Sequence, residues 1–193
     1  LRTKETWLCV LSTGFLMLVQ MGIMTQLVAR NMEVGMNQAL ATGVMSAIAV
    51  IGVIGSVIIG RIVFKLGIKK AGVMTAVLYV VALLCNISGI MPLVWISLVI
   101  IGFLGAAAPN LMNSIPGSVF GRVGYAKVNS VVFPITNIIF MCNFAVNGVV
   151  QGLFHSISAV YIVFAVLALI SLFLILAIQD HKYDQDYMAA HKN

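Results

Sequence analysis

Residues 39–60 read A-L-A-T-G-V-M-S-A-I-A-V-I-G-V-I-G-S-V-I-I-G, a stretch without a single charge that ends only at Arg61. A helix rises about 1.5 Å per residue, so this stretch alone matches the roughly 30 Å of a bilayer's hydrocarbon core. The rest of the chain agrees with it. Of 193 residues, 62% are hydrophobic and 8% are charged, whereas a soluble domain carries about 25% charge. Eleven Lys/Arg and five Asp/Glu cannot cover a water-facing surface of this size. The solvent this sequence calls for is lipid.

Working outward, five further stretches reach spanning length, so the predicted crossings are residues 7–29, 39–63, 71–90, 93–113, 128–150 and 159–178. They must be helices, because backbone groups in hydrocarbon can be satisfied only within the segment. Barrel strands would be about ten residues of alternating polarity, and no such alternation is present. Residues 1–178 therefore form one six-helix transmembrane bundle, and residues 179–193 (QDHKYDQDYMAAHKN) a polar tail. The first run is too long for a signal-peptide core and no small-residue cleavage site follows it. Leu1 in place of an initiator Met predicts a chain that continues upstream.

Charge then sets the orientation. Arg2, Lys4, Arg61, Lys65, Lys69, Lys70, Arg122, Lys127, Lys182 and Lys192 all fall on one side of the predicted crossings, and only Arg30 on the other. Lys/Arg excess in short loops marks the cytoplasmic face. The expectation is a multi-pass protein of the cytoplasmic (inner) cell membrane with both termini inside. The net charge of +6 does not indicate nucleic acid, because the basic residues are scattered singly between apolar runs.

Cys9, Cys85 and Cys142 lie in apolar runs with no CxxC pair, so neither a zinc site nor a disulfide framework is expected. The three histidines, His155, His181 and His191, stand in loops or the tail. With no HExxH, no Ser-His-Asp grouping and no paired carboxylates, the chain is expected to be neither an enzyme nor a holder of a metal or cofactor. Glu33 is placed in the first outer loop, and no ionisable residue is expected deep in a span.

What remains is neutral polarity. In the fifth span Asn129, Phe133, Thr136, Phe140, Asn143 and Asn147 recur at spacings of 4, 3, 4, 3 and 4, which gathers them within about 80° of one helix face. Such a stripe can line a cavity for a polar solute, or bond to neighbouring helices. Gln20 near the middle of the first span, and Thr25 beyond it, have the same two roles open. The fourth span ends G-A-A-A-P-N-L-M-N, where Pro109 can bend the helix beside Asn110 and Asn113 as a gate or solute contact, or simply as a packing kink. In the second span Gly52, Ser56 and Gly60, and likewise Ala39, Gly43 and Ala47, recur every four residues as close-packing faces. The third and sixth spans look plain and are expected to face lipid.

The junction Gly60-Arg61-Ile62-Val63-Phe64-Lys65-Leu66-Gly67-Ile68-Lys69-Lys70 resembles the G-x-L-A-D-R-x-G-R-R signature of the major facilitator superfamily, with Gly60 and Gly67 at the signature's spacing, Lys65 at its first basic position, and Lys69 and Lys70 at or just after the later pair. Phe64 stands where the signature is acidic, a degeneracy common in second-half copies. Val119-Phe120-Gly121-Arg122 and Gly124-Tyr125-Ala126-Lys127 are similar to the stretch before the eleventh helix of monocarboxylate-porter and oxalate/formate-antiporter members. The resemblance implies one half of a twelve-helix carrier, built as a 3+3 inverted repeat and supplying its last six helices. It implies secondary transport of a small polar solute, with an organic anion or monocarboxylate as the branch's cargo. The implied partners are the bilayer, a small-molecule substrate, and either an N-terminal six-helix half or a second copy of the chain, with no nucleic acid. A six-helix homodimeric transporter and a non-transporting accessory subunit are the alternatives. By the same resemblance the first, second, fourth and fifth spans face the cavity.

Overall fold

Asn37 starts the helix that carries the uncharged stretch: its side-chain oxygen accepts the Leu40 N–H at 2.8 Å, satisfying one of the donors that a helix start leaves free. The computed structural model describes residues 3–179 and 183, without the side chains of residues 122 and 123. Arg2, Lys182, Lys192 and the predicted tail apart from Gln179 and Tyr183 lie outside the described residues, as does the side chain of Arg122. The chain is all-helical, with no strand among the described residues: α1 (Lys4–Glu33), α2 (Gln38–Leu66), α3 (Ile68–Ile87), α4 (Met91–Leu104), α5 (Ala107–Met141), α6 (Asn143–Phe154) and α7 (Ile157–Ala177). Five helices are long and apolar enough to cross a membrane, or six if the bent pair Met91–Leu104 and Ala107–Gly121 counts as one crossing.

The spans depart from expectation mainly at their corners. The first extends by a turn at its C-terminal end, so Arg30 and Glu33 belong to α1 and not to a loop. The loop expected over residues 114–127 is helix almost throughout, with Pro116 inside α5, and the chain turns at Gly121 alone, at φ 64° and ψ −178°. Side chains are excluded from that conformation, so one glycine replaces a loop. Gly67, at φ 85°, does the same between α2 and α3. Its role is conformational. Gly60 is helical with open space around it.

The fourth span is broken rather than kinked at its proline. α4 stops at Leu104, α5 starts at Ala107, and the two cross at 42°. Pro109 is the third residue of α5, where the missing N–H costs nothing because the first turn has no intrahelical acceptor for it. The fifth crossing, Gly124–Phe154, is interrupted at Cys142, whose N–H tightens to the Ile139 carbonyl at 3.1 Å. This break divides the predicted polar stripe between α5 and α6.

α1 is the centre of the bundle and packs chiefly on α5 and α7; α3 packs on α7 and α4, and α2 on α4. A β-carbon on Gly22 would overlap the Phe164 ring at the α1–α7 crossing, and one on Gly55 would overlap the Phe103 carbonyl where α2 crosses α4. The close face of α2 is therefore Gly52 with Gly55, not the expected four-residue rows, since Gly43 and Gly60 touch nothing within 4 Å. The third and sixth spans, expected to face lipid, are partly buried in the bundle. Buried residues make up 44% and 39% of their most apolar stretches, against 17% for the second and 22% for the fifth. α3 buries Thr75, Tyr79 and Asn86 toward the bundle.

Long-range contacts define two ends. At one, Lys69 Nζ donates to the Ile178 carbonyl at 2.6 Å, Tyr183 N–H to the Val119 carbonyl at 3.0 Å, and the Tyr183 hydroxyl to Glu5 at 3.2 Å. This joins the start of α1, the Gly67 and Gly121 corners and the end of α7, the region that also holds Lys4, Arg61, Lys65 and Lys70. The other end contains Arg30.

Candidate functional site

Midway between these ends lies a cleft of about 660 Å³, open on one side and lined from α1 by Gln20 and Met24, from α2 by Met45, Ile48, Ala49, Gly52, Val53, Ser56 and Val57, and from the α4–α5 break by Gly105 and Ala106. The break makes the site. Ending α4 at Leu104 frees that carbonyl, and the Tyr79 hydroxyl lies 3.2 Å from it as a donor. The same hydroxyl is hydrogen-bonded to the Gln20 side-chain amide. Gln20, Tyr79 and the broken backbone thus form one buried polar group in a wall that is apolar apart from Ser56, with Gln20 only 3% exposed and Tyr79 fully buried. A mid-span amide must find partners, because lipid supplies none.

The other predicted residues divide. Thr136 lies 3.3 Å from Thr13, hydroxyl to hydroxyl. Asn147 Nδ2 donates to Thr25 Oγ1 at 2.8 Å, and Asn143 Nδ2 to the Phe140 carbonyl at 2.7 Å. Thr136, Asn143 and Asn147 are buried, and Thr136 and Asn147 join the fifth crossing to α1. Asn143 and Asn147 each keep an unpartnered, buried side-chain oxygen. Phe140 packs half-buried against the core. Asn129 and Phe133 turn elsewhere, lining with Asn113, Tyr125, Ser130 and Pro134 a second cleft of about 410 Å³. There Asn113 Nδ2 bonds back to the Pro109 carbonyl at 3.2 Å, while Asn110, on the same turn, lines neither cleft. The structure does not bring the ten candidates into one cavity. Gln20 alone lines the larger one.

In the stretch 60–70, Gly60 and Arg61 lie exposed in the last two turns of α2, Phe64 is 91% exposed, and Lys65 and Lys70 flank the Gly67 corner. Lys69 is the one with a built contact: its ammonium meets the carbonyl that ends α7, where the helix dipole favours a cation.

Sequence reasoning missed two groups. Tyr79 was hidden in a span that looked plain, although Thr75, Tyr79 and Asn86 repeat at intervals of four and seven on one face. Arg30 was counted as a loop charge. It is 4% exposed, donates from Nε to Asn86 Oδ1 at 2.9 Å, from Nη2 to the Asn86 carbonyl at 2.8 Å, and from Nη1 to Ser158 at 2.7 Å and to Glu33 at 2.6 Å, and sits 5.8 Å from the Tyr161 ring centre. It ties α1, α3 and α7 together. Among the described residues no group of three or more His, Cys, Asp or Glu side chains could hold a metal ion.

No protein-family model matches the chain, and no curated protein matches it at significant similarity.

Proposed function

We propose that the chain is a six-helix half of a major-facilitator-type secondary transporter, moving a small polar solute by alternating access. One observation carries this reading: a cleft of about 660 Å³ midway along an apolar bundle, containing a buried Gln–Tyr pair at a broken helix. Substrate sites in such carriers lie near the bilayer midplane at discontinuous helices. The Gly60–Lys70 signature at the Gly67 corner supports the family, and its degeneracy supports the second, C-terminal half with the 3+3 repeat that such halves carry. The basic residues gathered at one end support cytoplasmic placement of both chain ends in the inner membrane. The weakly buried α2 supports a partner across the cleft, either an N-terminal half or a second copy. The role is carriage and involves no catalytic step.

The test is a single cysteine at Ser56, with Cys9, Cys85 and Cys142 replaced, in right-side-out and inside-out vesicles. A carrier gives alkylation by an impermeant maleimide from both faces, while Phe173→Cys on the exposed side of α7 stays unreactive. Alkylation from one face only under all conditions makes the cleft a vestibule and overturns the transport reading. No alkylation from either face overturns the hydrated cleft itself.

A further inference from the structure

The two arms of α5 form a hairpin that turns at Gly121, at φ 64°. The second cleft lies between these arms: Asn113 lines it from the arm before Gly121, and Tyr125, Asn129, Ser130 and Phe133 from the arm after it. A helix interrupted at Gly121 leaves carbonyls of its last turn without intrahelical partners. One of them, on Val119, accepts the Tyr183 N–H at 3.0 Å. The Tyr183 ring stacks on Phe120, with centroids 5.4 Å apart and planes 7° from parallel, and its hydroxyl donates to Glu5 at 3.2 Å. Phe120 in turn meets the other arm, since a β-carbon on Gly124 would lie 3.3 Å from the Phe120 β-carbon. Phe120 and Glu5 are buried, while Tyr183 stays at the surface. One residue beyond α7 therefore holds the tip of the hairpin and the start of α1 together. Each of its three contacts is modest alone, so it can leave without unfolding the bundle.

We infer that Tyr183 is a releasable catch on this hairpin. Docked, it presses Phe120 against the second arm and pins the corner to α1, which keeps the cleft between the arms narrow. Released, it frees the corner to hinge at Gly121, and the cleft opens toward the end that carries Glu5. The root of the catch is fixed, because Lys69 Nζ holds the Ile178 carbonyl at 2.6 Å, so release is local to Tyr183. Nothing in this depends on what the larger cleft carries, and failure of the transport reading at Ser56 leaves the catch standing.

The experiment is hydrogen exchange of the whole chain in lipid nanodiscs, read on the peptide covering residues 119–126. Tyr183→Ala removes the stacked ring and the hydroxyl, and should speed exchange there about tenfold. Tyr183→Phe keeps the ring and the N–H, and should speed it only about threefold. The Gly67 corner, which Tyr183 does not touch, should exchange as before. The cleft is read in the same variants through Ser130→Cys, with Cys9, Cys85 and Cys142 replaced. Its alkylation by an impermeant maleimide should rise several-fold with Tyr183→Ala, while Thr42→Cys at the Arg30 end stays unchanged. Unaltered exchange at residues 119–126 in Tyr183→Ala overturns the catch, since Tyr183 would then rest on the corner without holding it. Faster exchange in every helix, with faster alkylation at Thr42→Cys, also overturns it, because Tyr183 would be a general support of the fold. A faster corner with unchanged alkylation at Ser130→Cys overturns the control of the cleft.

Discussion

α1 and α2 are nearly equal in length and both are apolar enough to span a bilayer, yet 67% of the most apolar stretch of α1 is buried against 17% of that of α2. The buried helix is the more polar one. α1 carries Ser12, Thr13, Gln20, Arg30 and Asn31, all buried, whereas α2 exposes Val50 and Ile54 away from the cleft and Val53 and Val57 along it. In water the ordering would be reversed. In lipid an apolar surface gains nothing by leaving its solvent, so packing and hydrogen bonding decide which helix goes inside. α1 meets that condition at almost every turn: Ser171 Oγ donates to the Ser12 carbonyl at 2.8 Å, Thr13 meets Thr136, Gln20 meets Tyr79, Thr25 meets Asn147, and Arg30 meets Asn86.

The contrast can be broken most severely at Gly22. Gly22→Leu forces a side chain into the Phe164 ring and should cost about 3 kcal/mol, read as a lowered unfolding midpoint in detergent. Gly43→Leu on α2, with nothing within 4 Å, should leave the midpoint unchanged. Equal effects at both positions would refute the assignment of inside and outside. The next largest effect is expected at Arg30. Arg30→Leu strands Asn86 and Ser158 and should cost about 2 kcal/mol. Its signature is coupling: Asn86→Leu should add little in the Arg30→Leu background.

The spans were legible in the sequence because the bilayer imposes a length, and residues 39–63 could hardly be read otherwise. The corners were not. Gly67 and Gly121 read as ordinary helix or loop glycines until the backbone shows a positive φ at each, and no local pattern separates a one-residue turn from a loop. The site was half legible. Gln20 stood out as a mid-span amide, but its partner Tyr79 belongs to a helix whose few polar residues face inward, and inward direction is a tertiary property. The fifth-span stripe was real as a periodicity, but a break at Cys142 and a change of neighbour divided it. Arg30 was misplaced because counting charges by loop says nothing of a guanidinium that turns back into the bundle.

Smaller effects sharpen the comparison. Thr136→Val removes one hydroxyl contact to α1 and should cost about 0.6 kcal/mol, typical of a membrane interhelical bond. Val50→Ala on the exposed face of α2 should fall within about 0.5 kcal/mol of zero. A destabilisation at Val50 larger than at Thr136 would mean that a partner surface, and not lipid, covers that face.

The most direct test of the account is a nitroxide scan along α2 from residue 44 to 59 in bilayers, reading collisions with oxygen and with a water-soluble nickel chelate. Three faces are expected on one helix: chelate maxima at Ala49, Gly52 and Ser56, oxygen maxima at Val50 and Ile54, and protection from both at Val44, Gly55 and Ile59. Oxygen accessibility all round, with no chelate signal at Ser56, would contradict it, because α2 would then border lipid where the structure places the cleft.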